Sequence, residues 1–113
     1  MSLDPNLRTE TRQIARELAG IARSGDLLPG SLTERHMRCG KAGCACHQDP
    51  PRPHGPYWQW TRKVANKTVT RWLPRQAAAD YKRWIENDRR IRELLARLEA
   101  IGIARLEAEQ RRR

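Results

Sequence analysis

A stripe of apolar residues at helical spacing opens the chain. These residues are Leu7, Ile14, Leu18 and Ile21, separated by steps of seven, four and three, so they fall on one face of a helix. Asp4 can cap the amino end, and Pro5 suits the first turn because its missing N–H is not needed there. Gly25 follows the last periodic residues. The pattern therefore predicts an amphipathic helix over residues 5–23.

The middle of the chain has a different pattern. Residues 31–74 contain no helical period and are rich in Gly, Pro and β-forming residues. Residues 31–38 resemble a short strand, and two further strand-like runs cover 57–64 and 68–73. Residues 48–56 contain four prolines, which predicts a stiff extended loop. The segment as a whole predicts a small antiparallel β module.

The last two strand-like runs predict a β-hairpin. A two-residue loop at Asn66 and Lys67 pairs Ala65 with Thr68. In that register one face of the hairpin carries Trp58, Trp60, Arg62, Val64, Val69, Arg71 and Leu73. A three-residue loop would mix the two faces, so the shorter loop is the predicted one.

A second, longer helix is predicted after the hairpin. Pro74 opens it, and the pattern continues to about Glu109. Its apolar residues repeat in heptads: Trp84, Ile91 and Leu98, with Leu94 and Ile101 three residues after the last two. Asn87 occupies a seam position, and Gly102 is a candidate kink or end. This coiled-coil-like seam can pack antiparallel on the first helix, or it can dimerise or dock on a larger partner; the pattern leaves both open.

The composition limits the size of the core. The chain has 113 residues, of which 38% are hydrophobic and none is Phe, and its mean hydropathy is −0.88. A small domain with so few apolar residues usually needs a metal or a partner to fold. We therefore predict an α+β fold with an N-terminal helix and turn (1–30), a zinc-stabilised β module (31–74) and a long charged C-terminal helix with a basic tail (75–113).

All three cysteines lie within eight residues and are followed by a histidine. The spacing Cys39-x4-Cys44-x-Cys46-x7-His54 supplies three thiolates and one imidazole. This ligand set suits tetrahedral Zn²⁺. The sequence therefore predicts a structural zinc site.

Three histidines compete for the fourth position of that site. His54 is preferred because it stands at the entrance of a strand. His47 is adjacent to Cys46, which makes the local geometry tight, and His36 on the incoming strand is a third candidate.

Catalysis is not expected at this site. Four protein ligands complete a tetrahedron and leave no position for water, Glu34 is the only acidic residue shortly before the cysteines, and the deaminase signature is absent. Thiol redox chemistry is the second interpretation, because Lys41 and Arg38 would lower the pKa of Cys44 and Cys46. The chain lacks the spacing and the βαβ setting of thioredoxin-like sites, so we predict no enzymatic activity.

The amino acid sequence also bears on location. The amino end lacks the basic and apolar regions of a signal peptide, and no apolar run approaches the ~20 residues that cross a bilayer. An odd number of cysteines, three, fits poorly with a disulfide framework. We expect a cytoplasmic protein that does not bind membranes.

Positive charge concentrates in the middle of the chain. The net charge is +10, and residues 31–76 hold nine Lys or Arg against two acidic residues, whereas residues 1–30 hold four of each. All six aromatic residues lie between 57 and 84 among these charges. Basic residues interleaved with aromatic ones are typical of nucleic-acid surfaces. The predicted contacts are Arg38, Lys41, Tyr57, Arg62, Lys63, Lys67, Arg71 and Trp72.

The aromatic residues divide between two expected roles. Trp58 and Trp60 share their hairpin face with apolar residues, so we expect them in the core. Tyr57 and Trp72 fall on the opposite face, where they are better placed for exposed contacts.

Three motifs resemble a family of small prokaryotic proteins with a domain of unassigned function. They read Arg38-Cys39-Gly40-Lys41, Cys44-Ala45-Cys46 and His54-Gly55-Pro56-Tyr57-Trp58, and the similarity covers about residues 31–95. The resemblance implies that the three cysteines and His54 act as one set. It also implies an association with mobile genetic elements, and it supplies no established activity.

Two functions are compatible with these observations. The first is a non-enzymatic, zinc-stabilised accessory protein that binds DNA or RNA, with a link to a mobile genetic element. The second is a protein-interaction module that docks through its helices on a larger enzyme or forms a homodimer through the C-terminal helix. Affinity for nucleic acid falls steeply with salt, which separates the two.

Overall fold

The computed structural model describes residues 5–49, 51–52 and 54–113. Within these residues the chain forms the helices α1 (Pro5–Ser24) and α2 (Ala78–Arg111), the strands β1 (Ser31–Met37), β2 (His54–Val64) and β3 (Lys67–Leu73), and short 3₁₀ turns at Ala45–His47 and Arg75–Ala77. The predicted α+β architecture is confirmed. The predicted N-cap Asp4 lies outside the described residues, as do Pro50 and Pro53 of the predicted stiff loop.

The chain divides into two compact units. The helical unit comprises residues 5–27 and 86–113, and the sheet unit comprises residues 28–85. α2 contributes residues to both units, because it begins in the sheet unit at Ala78.

The helical unit has a small apolar core. Its centre is formed by Ile14, Leu94 and Ile101, which are at most 7% exposed. Four other apolar residues of the two predicted stripes pack around this centre: Leu7, Leu18, Ile21 and Leu98. The seam of α2 is therefore used within the chain, where it covers α1.

Ion pairs show the relative direction of the two helices in this unit. Arg90 of α2 donates to both carboxylate oxygens of Glu17, and Arg97 donates to Glu10 at 3.1 Å. Residue numbers rise along α2 as they fall along α1, so the helices are antiparallel. The hydrogen bond from Arg90 lowers the pKa of Glu17. Both side chains are about 40% exposed, so the pair orients the helices more than it stabilises them.

Truncation of Leu94 should test this core. Leu94 is fully buried, so Leu94→Ala is expected to lower the free energy of unfolding by about 3 kcal/mol through lost burial and the cavity that remains. Leu27, which is 44% exposed in the same unit, is the matched control, and Leu27→Ala should change stability far less. Chemical denaturation followed by circular dichroism measures both. Equal losses in the two variants would contradict the assignment of this core.

α2 begins later than its sequence prediction and ends close to the predicted Glu109. Pro74 precedes a 3₁₀ turn, and the α-helix begins only at Ala78. The helix then continues through Gly102 to Arg111, so it does not end at that glycine. Trp84, the first residue of the predicted seam, belongs to the sheet unit.

The strands form one antiparallel sheet in the order β1-β2-β3. Val64 pairs with Lys67, so the two-residue loop is Ala65–Asn66, and the predicted pairing of Ala65 with Thr68 is wrong. Both loop residues have positive φ, +51° and +66°, as a tight hairpin requires. The observed register extends the ladder to Trp58, which lies opposite Leu73. The predicted register would have left that tryptophan without a partner on β3.

The shift in register leaves the two faces of the hairpin as predicted, because each partner moves by two positions. On one face Trp58 lies beneath Lys82, whose Nζ is 4.2 Å from the ring centroid, and the Trp60 indole N–H donates to a backbone carbonyl at 2.8 Å. On the other face Tyr57 and Trp72 are 41% and 55% exposed. Their rings meet edge to face with centroids 6.3 Å apart, and we call them the ring pair.

Candidate metal centre

Two tight turns place the cysteines. The backbone N–H of Cys44 donates to the carbonyl of Lys41 at 3.1 Å, which closes a turn after Cys39. The N–H of His47 then donates to the carbonyl of Cys44 at 3.0 Å, within the 3₁₀ turn that carries Cys46. The three thiols are thereby brought to one side of a short loop.

A bulge in the sheet brings His54 to the same point. His54 pairs with Met37, and Tyr57 pairs with Arg35, so β2 has one more residue than β1 between these pairs. Gly55 lies in the bulge with φ +132°, and a Cβ there would come within 2.7 Å of the Arg35 carbonyl oxygen. Only glycine fits this close approach. The bulge therefore places His54 beside the start of residues 38–47, the segment after β1 that we call the cysteine loop.

The four predicted ligands converge. The ligand atoms of Cys39, Cys44, Cys46 and His54 all lie within 4.8 Å of one another, and we call this group the Cys₃His cluster. The Sγ atoms of Cys39 and Cys46 are 3.5 Å apart, and Cys44 Sγ is 3.2 Å from His54 Nε2. Ligands bonded to Zn²⁺ at roughly 2.0–2.3 Å in a tetrahedron would lie about 3.5–3.8 Å apart. The cluster has the dimensions of a metal site.

The other two histidines lie outside the cluster. His47 Nε2 donates to the backbone carbonyl of Cys39. His36 is exposed on β1, with Nε2 3.4 Å from Glu34. His54 is therefore the histidine that the fold places among the thiols.

Backbone amides and burial distinguish the thiols. The Cys39 N–H donates to Cys46 Sγ at 3.3 Å, and the Cys46 N–H lowers the pKa of the Cys44 thiol to about 6. Burial raises the pKa of the Cys46 thiol, which overturns the expectation that nearby cations lower both values. Amide donors of this kind stabilise thiolates and orient them toward a metal. The environment fits metal ligation better than a reactive dithiol.

The chemistry of the cluster follows from its donor set. Three sulfurs and one imidazole nitrogen suit Zn²⁺ and fill its four tetrahedral positions. Among the described residues this is the one group of His, Cys, Asp and Glu with metal-site geometry, and no carboxylate belongs to it. The cluster can hold a metal ion.

The predicted nucleic-acid contacts occupy separate places in the sheet unit. Arg62, Lys63, Lys67 and Arg71, which we call the hairpin cations, lie on the β2–β3 hairpin. The first three stand near its end, and Arg71 pairs with Trp60 within the three-stranded part of the sheet. All four are exposed. β1 pairs with β2 only as far as Thr61, so this end extends beyond the three-stranded part of the sheet. Lys41 lies in the cysteine loop, which precedes the hairpin in the sequence.

A shallow recess brings two other predicted contacts together beside the metal centre. Arg38 and Tyr57 line it with Met37, Cys39 and His54, and its volume is about 200 Å³. Arg35, which was not among the predicted contacts, lies on β1 opposite Tyr57 and donates through Nε to Gln59 at 3.0 Å. The alternation of side chains along β1 could have shown which face Arg35 occupies. The sequence does not show, however, that β1 pairs with β2.

The chain matches a known protein family. A family described as a domain of unknown function, DUF6788, matches residues 5–83. This chain belongs to the DUF6788 family. The DUF6788 match covers α1, the whole sheet and the Cys₃His cluster, and it confirms the expected membership in a small family of unassigned function. Searches of curated proteins and of solved structures found no match.

The helices were also compared with the requirements of a membrane span. Within the described part of the DUF6788 chain, no helix combines the length and apolar character needed to span a bilayer.

Proposed function

We propose that this protein is a zinc-stabilised nucleic-acid-binding module that acts by binding and carries no catalytic activity. The observation that carries the proposal is the charge of the β2–β3 hairpin. Residues 54–73 contain the four hairpin cations and no acidic residue. None of the salt bridges among the described residues includes any of these four side chains. Exposed cations without protein counter-ions are suited to phosphate groups.

The cations of the helices provide a contrast. Arg83, Arg90, Arg92 and Arg97 each form an ion pair with a carboxylate. Their charge is largely balanced by their neighbours, whereas that of the hairpin is not. The hairpin therefore favours a polyanion more strongly than these ion-paired positions of α2 do.

The ring pair adds a second kind of contact. Tyr57 and Trp72 are exposed on a sheet face that also presents hydroxyl and amide groups, among them Gln59 and Thr61. Exposed rings beside cations can stack on unpaired bases. Along β2, Tyr57 lies about 15–20 Å from Arg62 and Lys63 at ~3.3 Å per residue, which a few nucleotides of an extended strand can span. Arg71 is next to Trp72 on β3 and projects from the opposite face of the sheet.

Zinc has a structural role in this proposal. The Cys₃His cluster supplies four protein ligands, so a bound Zn²⁺ would hold the end of β1, the cysteine loop and the start of β2 together. We propose that the protein acts in the cytoplasm. The resemblance noted in the sequence is the support for an accessory role in a mobile genetic element.

Charge reversal at the hairpin tests the proposal. Arg62→Glu with Arg71→Glu should abolish binding of fluorescently labelled DNA and RNA oligonucleotides at moderate salt. In the unmodified protein affinity should fall steeply as salt rises, and each phosphate contact that is lost should reduce that salt slope by about 1. Fluorescence anisotropy over a salt series measures both quantities.

The control for this experiment has the same change in net charge. Arg8→Glu with Arg12→Glu alters two exposed residues of α1 and should leave most of the affinity. Metal content and circular dichroism should be unchanged in both double variants. Unchanged affinity after reversal of Arg62 and Arg71 would refute the proposal.

The alternative function is a protein-interaction module in which the helices dock on a larger enzyme and zinc only folds the centre. Three exposed apolar side chains of α2 favour a protein contact: Leu95, Ile103 and Leu106. Binding through such a surface should depend weakly on salt, because its main term is apolar burial. It should also tolerate reversal of Arg62 and Arg71.

A further inference from the structure

The recess beside the metal centre has the size and walls of a site for one flat ring system. Its volume is about 200 Å³, below the ~300–1,000 Å³ of pockets that enclose drug-sized molecules. Met37 and Tyr57 supply apolar walls, and Arg38 is the permanent cation among the described lining residues. Cys39 and His54 also line it, whereas the other two members of the Cys₃His cluster do not. The recess therefore lies to one side of the cluster, where it can hold a ligand of its own.

Tyr57 is shared between the recess and the ring pair. Its ring meets that of Trp72 at an interplanar angle of 81°. Because the two rings are nearly perpendicular, bases that lie flat on each of them cannot remain stacked on each other. A nucleotide held on Tyr57 is therefore separated from its neighbour, and the edges of its base are free to form hydrogen bonds.

Arg38 is suited to recognise such a base. It is exposed, and none of the ion pairs among the described residues includes it. A guanidinium presents parallel N–H donors in a fixed fork. The O6 and N7 acceptors of guanine match this fork, and adenine has a donor at N6 in place of O6. The geometry of the fork therefore favours guanine over adenine.

Arg35 is placed to hold the phosphate of the same nucleotide. It lies directly across from Tyr57 on β1, and side chains opposite each other in an antiparallel pair have Cβ atoms about 4.5–5.5 Å apart. Its Nε donates to Gln59 at 3.0 Å, which leaves the two terminal amino groups of the guanidinium. Like Arg38, it belongs to none of the ion pairs among the described residues. An anionic group bound beside Tyr57 can therefore pair with Arg35.

We propose that the recess binds one unpaired guanine of a single nucleic-acid strand. The base lies on the Tyr57 ring, Arg38 donates to its O6 and N7, and Arg35 pairs with its phosphate. The inference rests on the proposed nucleic-acid function and adds to it a site that selects one base. It gives the two arginines different roles, since Arg38 determines which base is preferred and Arg35 contributes to the affinity for any strand.

Short thymine strands that carry one central guanine test the site, with fluorescence anisotropy of the zinc-loaded full chain as the measurement. The guanine strand should bind roughly tenfold more tightly than strands in which adenine or cytosine replaces the guanine. The analogue 7-deazaguanine keeps the ring surface but has a C–H in place of the N7 acceptor, so it should lose most of this preference. Free guanosine monophosphate should compete only weakly, because it lacks the other phosphates that the hairpin cations hold.

Three methionine variants separate the two roles. Arg38→Met should bind the guanine and adenine strands equally, because the base-specific donors are removed. Arg35→Met should weaken binding of every strand alike and reduce the salt slope by about 1, while the guanine preference stays. Arg52→Met, the matched control at an exposed arginine outside the recess, should change neither quantity. Metal content and tryptophan emission should be the same in all three.

The outcomes distinguish this site from the proposed function. Equal binding of the guanine and adenine strands, with its salt dependence kept, would overturn the guanine site and leave the proposed function standing. A guanine preference that survives Arg38→Met would overturn it as well. Guanosine monophosphate that binds as tightly as the strand would assign the recess to a free nucleotide instead. If no strand binds, the site and the proposed function fail together.

Discussion

His54→Ala is expected to remove the bound metal and to unfold the sheet unit. The cluster joins the end of β1, the cysteine loop and the start of β2, and the sheet unit otherwise has few buried apolar residues: Cys46, Ala78 and Ile85. Structural zinc sites contribute folding free energy directly, so loss of one ligand weakens both binding and folding. Cys39→Ser should act in the same way.

The tryptophans make this outcome easy to measure. All four, Trp58, Trp60, Trp72 and Trp84, lie in the sheet unit, so their fluorescence reports its folding. Treatment with a chelator should shift the emission to longer wavelength, and added Zn²⁺ should reverse the shift. Elemental analysis should find one zinc per unmodified chain.

The remaining histidines provide controls. His36→Ala and His47→Ala should retain the metal, since neither side chain belongs to the cluster. Acid should release the metal from the unmodified protein, because protons compete with Zn²⁺ for the thiolates and the imidazole. A His54→Ala protein that keeps one tightly bound zinc would show that the ligand set is wrong.

Removal of the ring pair is expected to have the second large effect, this time on binding. Tyr57→Ala with Trp72→Ala should weaken binding of single-stranded oligonucleotides by roughly tenfold to a hundredfold, because a stacked base contributes about 1–3 kcal/mol. Duplex binding should change much less, since paired bases cannot leave their stack to meet these rings. Anisotropy with single-stranded and duplex probes at one salt concentration separates the two effects.

Conservative variants complete the test of the ring pair. Tyr57→Phe and Trp72→Phe keep a stacking surface and should retain most of the affinity. The charge-reversal variants should weaken single-stranded and duplex binding alike, because phosphates are present in both. Equal losses for the two probes in the alanine variant would instead assign the rings to the stability of the sheet.

The sequence predicted features that depend on neighbouring residues better than features that depend on residues far apart in the chain. The α1 stripe and the core part of the α2 seam were predictable, because helical spacing alone puts Ile14, Leu94 and Ile101 on apolar faces. The predicted hairpin loop was displaced by one residue, since it was placed at Asn66–Lys67 and the structure has it at Ala65–Asn66. The observed register gives the longer β2–β3 ladder, which extends to the pair Trp58 and Leu73. Such pairs form between strands, so the pattern along one strand does not show them.

The candidate site shows the same division. Clustered cysteines with a histidine predicted the ligand set, since few other structures call for that composition. The sequence already preferred His54 over His36 and His47, and the structure adds the reason that its side chain reaches the thiols, which is the bulge at Gly55 that pairing with β1 creates. The raised pKa of Cys46 was also beyond the sequence, because burial is a property of the packed loop.

The sequence by itself determined the helices, the three-stranded pattern, the residues of the Cys₃His cluster and the excess of positive charge on the hairpin, because each depends on local spacing or composition. Tertiary structure decided which side chains are covered. It buried the seam of α2 against α1, left Leu95 and Leu106 exposed, and brought the rings of Tyr57 and Trp72 into edge-to-face contact. Whether a side chain is covered depends on which distant segments of the chain meet. The hydrophobic period of a single segment does not contain that information.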